Sequence, residues 1–314
     1  MPSDTLLEAL VTGQKKRNAA PYSAGEGGKE GTGRWGEPTG LIDWCEPNYA
    51  LTSDVAELHN TWSNVFYVLV GAAVLARCQR LRLPLQFHLC GAFIVLTGVF
   101  SAAFHASLWL SMQRLDEIFE NGILIAMLYS DRGSGKEGGL SAVAATALHF
   151  IVCAALILSV GQFLFCELHL VGIILLVLAK FQRLTRAPPR RRGKESNNDD
   201  DRNERGDDPS APVRPLVGAA AAWTVAGFAC WLLDRLACDA VGAAQLHAWW
   251  HLCTALALWW GFKAISMVHL HLLAAKAPIK AVAVASRAAG GGVVTRARAR
   301  RRAGGDSHDD SRRG

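Results

Sequence analysis

Residues 83–117 read LPLQFHLCGAFIVLTGVFSAAFHASLWLSMQRLDE, and they set the fold class. No Asp, Glu, Lys or Arg occurs from Leu83 to Gln113. A bilayer-spanning helix needs about 20 mostly apolar residues, and this run supplies them. It then turns abruptly polar at Arg114, Asp116 and Glu117. Within the run, Ser101 and His105 are four residues apart and would share one helix face. Ionisable groups inside membrane spans are costly and usually functional. The stretch therefore predicts a span that ends in chemistry.

The pattern repeats on either side. Gly138 to Cys166, Pro215 to Leu233 and Ala240 to Phe262 are also free of Asp, Glu, Lys and Arg. The chain is 51% hydrophobic and 19% charged, and the charges gather in 1–34, 186–214 and 276–314. That excludes a uniform soluble domain and a wholly disordered chain. Seven apolar segments predict an all-α, polytopic membrane protein, a seven-transmembrane helix bundle. They are 57–78, 86–105, 115–130, 141–160, 163–181, 216–236 and 244–265. The third and fifth are short and carry acids near their starts. Residues 1–34 are polar and Gly-rich, with no apolar stretch typical of a cleavable signal, so the first span serves as the targeting signal. The expected organisation is a disordered lumenal segment 1–34, a seven-helix domain 35–275, and a basic cytoplasmic tail 276–314. Within the domain, 184–214 (RAPPRRRGKESNNDDDRNERGDDPSAPVR from Arg186) is too polar to pack and predicts a disordered cytoplasmic loop.

Seven spans put the termini on opposite sides. The side that holds Arg77, Arg80, Arg82, Arg132, Lys136, residues 180–214 and the C-terminal tail carries 25 Lys and Arg, against 7 on the N-terminal side. Cytoplasmic loops carry the excess of basic residues. The N-terminus is thus expected in the lumen, in the endoplasmic reticulum or Golgi. The tail motif TRARARRRA suits either anionic lipid or a solvated, topology-enforcing role. Its arginines are not interleaved with aromatics, so no nucleic-acid partner is expected.

The ionisable groups inside spans gather at one depth, near the N-terminal side. His105 ends the second span. Asp116, Glu117 and Glu120 open the third, and His247 and His251 open the seventh. In Gln245-Leu-His247-Ala-Trp-Trp-His251 the imidazoles stand at i and i+4, a chelating spacing on a helix. Three imidazoles with one open position make a catalytic zinc site, which lowers the pKa of bound water to about 7. His149 and His169 are expected to be structural, and His269 and His271 interfacial.

A second cluster, Asp43-Trp44-Cys45-Glu46-Pro47-Asn48-Tyr49, precedes Ala56-Glu57 at the mouth of the first span. Oxygen ligands of this kind suit calcium. Helix capping by Asp54, with Glu57 three positions on, explains part of the same pattern. Of eight cysteines, Cys45 and Cys238 both fall outside the spans on the lumenal side, where an oxidising space permits a disulfide. Cys166, near the same end of the fifth span, is a competitor.

Taken together, WGEPTGLIDWCEPNY, AELHNTWSN, SAAFHASLWLSMQRLDE and QLHAWWH resemble the alkaline ceramidase family, from about Trp35 to His271. More distant relatives of that family include the adiponectin receptors. The resemblance implies hydrolysis of the ceramide amide to a sphingoid base and a free fatty acid within the membrane. It implies zinc on His105, His247 and His251, with Ser101 and Asp116 as polar catalytic partners. It also implies a calcium site from Asp43, the Trp44 carbonyl, Glu46, Asn48 and Glu57. His59 and Pro47 depart from the family pattern without removing a proposed ligand. The competing class is a seven-helix receptor or transporter with structural zinc, whose motif would lack a proton-handling acid such as Asp116 beside the metal.

Overall fold

Leu85–Ser107 forms one unbroken helix in the computed structural model, which describes residues 33–130, 136–160, 163–185 and 211–302. In chain order the helices are α1 (Leu58–Ser63), α2 (Val65–Leu81), α3 (Leu85–Ser107), α4 (Leu110–Tyr129), α5 (Lys136–Val160), α6 (Phe163–Thr185), α7 (Arg214–Leu236), the single turn α8 (Cys238–Val241) and α9 (Leu246–Arg302). A 3-10 turn, Gly242–Ala244, leads into α9. Among the described residues there is no strand, only an isolated bridge between Gly33 and Gly36. The chain falls into two units, Met1–Val268 and His269–Gly314.

Among the described residues, five segments are long and apolar enough to cross a membrane: Leu58–Leu81, Leu85–Ser107, Leu140–Ser159, Arg214–Leu236 and Leu246–Ala274. The seven expected spans are thus met by five on length and composition. α4 falls short because Arg114, Asp116, Glu117 and Glu120 crowd its first half. Its Gln113, Arg114, Glu117 and Asn121 are buried inside the protein. α6 carries Lys180, whose ammonium donates to the carbonyls of Met127 and Leu128 at 2.8 and 3.1 Å. Both helices spend polar groups on protein neighbours. The last helix runs far beyond the expected 244–265, through Pro278 and three consecutive glycines, which local propensity disfavours. Residues 1–32, most of the 184–214 loop and 303–314 lie outside the described residues.

α3 is the centre of the packing, against α2 on one side and α4 on the other. The α2–α3 approach depends on glycine. A Cβ on Gly71 would stand 2.9 Å from the Val95 amide nitrogen and 3.0 Å from the Gly91 carbonyl oxygen, and backbone cannot step aside. On the far side of α4, hydrogen bonds join three helices. Tyr129 Oη meets His149 Nδ1 at 3.2 Å, His149 Nε2 meets His169 Nε2 at 3.2 Å, and His169 Nδ1 meets Asn121 Oδ1 at 2.7 Å. Asn121 Oδ1 can only accept, so His169 donates through Nδ1 and receives at Nε2. His149 then donates through Nε2, and a neutral His149 receives from Tyr129. The chain runs between protein groups throughout, in keeping with a structural role for the pair.

The C-terminal end of α3 is closed by the segment before α1. Helix ends leave carbonyls without intrahelical partners. Here Glu57 N–H donates to His105 O at 3.0 Å and Ala56 N–H to Ala106 O at 2.9 Å. Thr39 and Gly40 N–H both donate to Leu108 O, at 3.1 and 2.8 Å. Tyr49, Ala56, Phe104 and Leu108 bury together beneath these bonds. The N-terminal segment is thereby fixed over the last turn of α3.

Gly71→Ala is expected to lower stability by about 1–3 kcal/mol, because the added methyl overpacks a backbone contact. A drop in the thermal unfolding midpoint of detergent-purified protein checks this. An unchanged midpoint would contradict the close approach of α2 and α3.

Candidate metal centre

His105 sits in the last turn of α3, and His247 and His251 in the first two turns of α9. All three rings are buried. Their centroids form a near-equilateral triangle, 5.0 Å from His105 to His247, 5.1 Å from His105 to His251 and 4.6 Å between His247 and His251. One ligand nitrogen from each lies within 4.8 Å of the others, so the group can hold a metal ion. The i, i+4 pair meets a histidine from a different helix at the same level.

Each ring is held from behind. His105 Nδ1 lies 2.5 Å from Glu57 Oε2, so it carries the proton and Nε2 keeps its lone pair. Ser63 Oγ donates to Asn60 O at 2.9 Å and therefore accepts from His251 Nδ1 at 2.7 Å, which again frees Nε2. The His247 ring stacks on Trp44, with centroids 3.5 Å apart and planes 18° from parallel. Its Nδ1 is buried and has no hydrogen-bond partner among the described residues. Metal-bound histidines characteristically donate their other nitrogen to a carboxylate or similar acceptor. Two donor-oriented imidazoles and a third with an unsatisfied nitrogen fit a metal site.

Ser101, Asp116 and the three histidines line one cavity, with Trp44 in its wall. Ser101 is 2% exposed and its hydroxyl bonds the Asp116 carboxylate. A half-buried acid therefore faces the same space as the imidazoles. Glu117 lines the cavity too, but its carboxylate is engaged: it accepts from Arg114 at 2.7 Å and from Gln113 at 2.6 Å. Glu120 also lines the cavity.

The oxygen cluster stands immediately outside. Asn48 Nδ2 donates to Asp43 Oδ1 at 3.0 Å, while Asn48 Oδ1 is buried without a partner among the described residues. Burial, and secondarily the Glu57 charge, push the Asp43 carboxyl up to about 7, with the Asn48 bond opposing. Carboxylates that destabilise one another in this way favour a bound cation. Glu46 accepts from the backbone N–H groups of His59 at 2.7 Å and Asn60 at 2.8 Å, so it caps α1 from a distance. The capping expected of Asp54 is not found. Asp54 pairs with Arg34 at 3.4 Å, and Glu57, the residue at the N-cap, makes no side-chain cap bond. Glu57 instead links the two clusters, because its other oxygen accepts from Trp44 N–H at 3.3 Å.

Sequence reasoning missed Ser63, the Trp44–His247 stack and Asp234. The Asp234 carboxylate accepts from Cys45 N–H at 3.2 Å and from the backbone N–H of His247. Arg235 beside it lies over Trp44, 5.2 Å from the ring centroid. A charged Asp-Arg pair closing a membrane helix was the available signal. Cys45 and Cys238 are joined as a disulfide, with Cα atoms 5.4 Å apart, whereas Cys166 accepts a hydrogen bond from Asn121 at 3.3 Å.

Comparison with known proteins matches residues 36–284 to the family model described as Ceramidase. The chain is 26% identical to alkaline ceramidase 3 of Mus musculus over 71% of its own length and 82% of that protein's. It is 26% identical to the alkaline ceramidase of Drosophila melanogaster over 67% of this chain and 71% of the relative. An alkaline ceramidase of Arabidopsis thaliana shares 33% identity over a shorter stretch, 31% of this chain and 39% of the relative.

Replacing His105, His247 or His251 by Ala is expected to strip bound transition metal from folded protein, as counted by elemental analysis. Glu57→Gln should weaken metal binding about 10–100-fold, the usual cost of losing a carboxylate behind a ligand histidine. Full metal occupancy in any of the three alanine variants would refute the site.

Proposed function

The chain belongs to the ceramidase family, and from that premise we propose that it hydrolyses the amide of ceramides to a sphingoid base and a free fatty acid. In this reading zinc is held by His105, His247 and His251, and calcium by Asp43, the Trp44 carbonyl, Glu46, Asn48 and Glu57. The carrying observation is that three buried imidazoles and the Ser101–Asp116 pair share one cavity. A receptor with structural zinc has no use for a proton-handling acid at that place.

When bound, zinc supplies the Lewis acidity that activates water near neutral pH and polarises a carbonyl. Asp116 takes a proton from the attacking water and delivers it to the departing nitrogen, so the amine leaves neutral. Ser101 holds Asp116 in place and donates to the developing oxyanion once its hydroxyl turns toward substrate. Trp44 and Phe104 wall the cavity and limit water. Glu57 accepts from Trp44 and His105 together, so a cation bound at Asp43 and Glu46 would stiffen the carboxylate that orients His105. That supports calcium as a modulator.

The proposed setting is a seven-helix bundle, with the polar groups of α4 turned toward protein. The N-terminus faces the lumen of the endoplasmic reticulum or Golgi and the C-terminus the cytoplasm. The excess of Lys and Arg on one side supports this orientation, as does a Cys45–Cys238 bond that only an oxidising compartment would keep.

Purified protein is expected to release fatty acid from a ceramide, detected by mass spectrometry. Asp116→Asn should keep its zinc and lose about 10²–10⁴ in kcat. Ser101→Ala should lose on the order of 10²-fold, and calcium chelation should reduce the rate. A fully active Asp116→Asn would require a different base. For the orientation, thiol-blocked, non-reducing peptide mapping should recover the 45–238 cross-link. Recovery of both cysteines as free thiols would contradict it.

A further inference from the structure

The end of the bundle away from the histidines carries charge that the protein itself does not answer. Lys263 stands on α9 twelve residues past His251, about 18 Å along the helix. Arg77 stands near the end of α2 and reaches across to α9, where its Nε donates to Ser266 Oγ at 3.3 Å. Ser266 is buried, and its hydroxyl donates in turn to Lys263 O at 3.0 Å. The guanidinium is thereby held over the same turn of α9 that bears Lys263. Arg80, one turn beyond Arg77, is near enough for the two charges to repel.

None of the three cations has an acid partner among the described residues. The ion pairs there use Glu46, Asp54, Glu57 and Glu117, all at the histidine end of the bundle. Arg77 spends only its Nε on the protein, and its Nη groups have no partner among the described residues. The Lys263 ammonium lies over the Trp260 ring at 4.1 Å and the Trp259 ring at 5.6 Å. A ring face attracts a cation but accepts none of its three hydrogen bonds in the usual geometry. A charge that only enforces topology needs a side of the membrane, not a fixed place on it. Arg77 and Lys263 are both half-buried and both held in place. Like charges fixed this close together oppose one another, and a bound anion reverses that sign.

The surface leading to the cations is apolar. On α2, Leu69, Ala73 and Arg77 follow one another at four-residue steps, with Ala72, Ala76 and Arg80 beside them. Leu69, Ala72, Ala73 and Ala76 are exposed, so the outer face of α2 is a shallow apolar track that ends in two arginines. Trp259 and Trp260 stand at the same level, as aromatic side chains do at a membrane–water boundary.

We propose that Arg77, Arg80 and Lys263 bind the headgroup of a net-anionic phospholipid in the leaflet opposite the metal centre. Basic pockets between membrane helices are suited to such headgroups. The phosphate oxygens take up the free Nη groups of Arg77 and the Lys263 ammonium, and an acyl chain lies along the α2 track. A free phosphate ion matches the cations but leaves the track empty. A zwitterionic lipid brings a quaternary ammonium into a place that already holds three positive charges. The bound headgroup would join α2 to α9, the helix that carries His247 and His251.

The test is native mass spectrometry of the full-length protein in detergent, titrated with phosphatidylserine or with phosphatidylcholine of the same acyl chains. Phosphatidylserine is expected to bind about tenfold tighter or more. Arg77→Gln and Lys263→Gln should each weaken its binding about fivefold, with the fold verified by circular dichroism. Should Arg77→Gln not fold, Lys263→Gln, which breaks no contact between helices, carries the test. Arg34→Gln removes one charge at the histidine end and should leave the affinity unchanged. Equal affinity for the two lipids overturns the site, as does unmoved phosphatidylserine binding in the folded variants. An equal loss in Arg34→Gln overturns it too, because net charge alone would then explain the preference. Displacement of the lipid by inorganic phosphate at equal concentration would overturn a lipid as the ligand.

Discussion

The Glu57 carboxylate has no exposure to solvent and accepts from three donors at once: Trp44 N–H, Asn60 Nδ2 and His105 Nδ1. A buried carboxylate must be satisfied by its neighbours or it neutralises. The demand draws three pieces of chain to one point: the segment before α1, α1 itself, and the end of α3. It also sets the tautomer of His105, and so decides which nitrogen faces its two partner histidines. The backbone bonds from Ala56 and Glu57 to the last carbonyls of α3 enforce the same arrangement from the main chain.

The interior of this bundle is polar where a soluble protein of similar helix content would be apolar. α4 brings Gln113, Arg114, Glu117 and Asn121 inside and turns them toward protein partners. The chain from Tyr129 to Asn121 through two neutral imidazoles does the same between α4, α5 and α6. Apolar helices in lipid gain little from one another's side chains, so packing of small residues and interhelical hydrogen bonds set their arrangement. Gly71 and Gly91 serve the first need, and the α4 network the second.

The features legible in the sequence were those fixed by local spacing. His247 and His251 declare a shared face by their four-residue separation. His105 joins them because span counting puts it at the same depth. Ser101 and Asp116 follow from the same periodicity. Contacts between distant segments left no such trace. Ser63 behind His251 is 188 residues away in sequence, and Asp234 reaches Cys45 across 189. The capping pattern at Asp54 and Glu57 misled for the same reason: a tertiary partner, His105, took the carboxylate that a local cap would have used. The span count weakened at α4, because hydropathy cannot tell charges aimed at protein from charges aimed at lipid.

The candidate metal centre draws its three histidines from distant parts of the chain. His105 belongs to α3, whereas His247 and His251 belong to the last helix, more than 140 residues later. During synthesis the growing polypeptide therefore carries a single imidazole at that place until nearly the whole protein has been inserted. No partial product can assemble the three-histidine triangle. Every helix that walls the cavity is already in the bilayer when the last one arrives. The cavity that holds the three imidazoles is thus incomplete until the final helix docks.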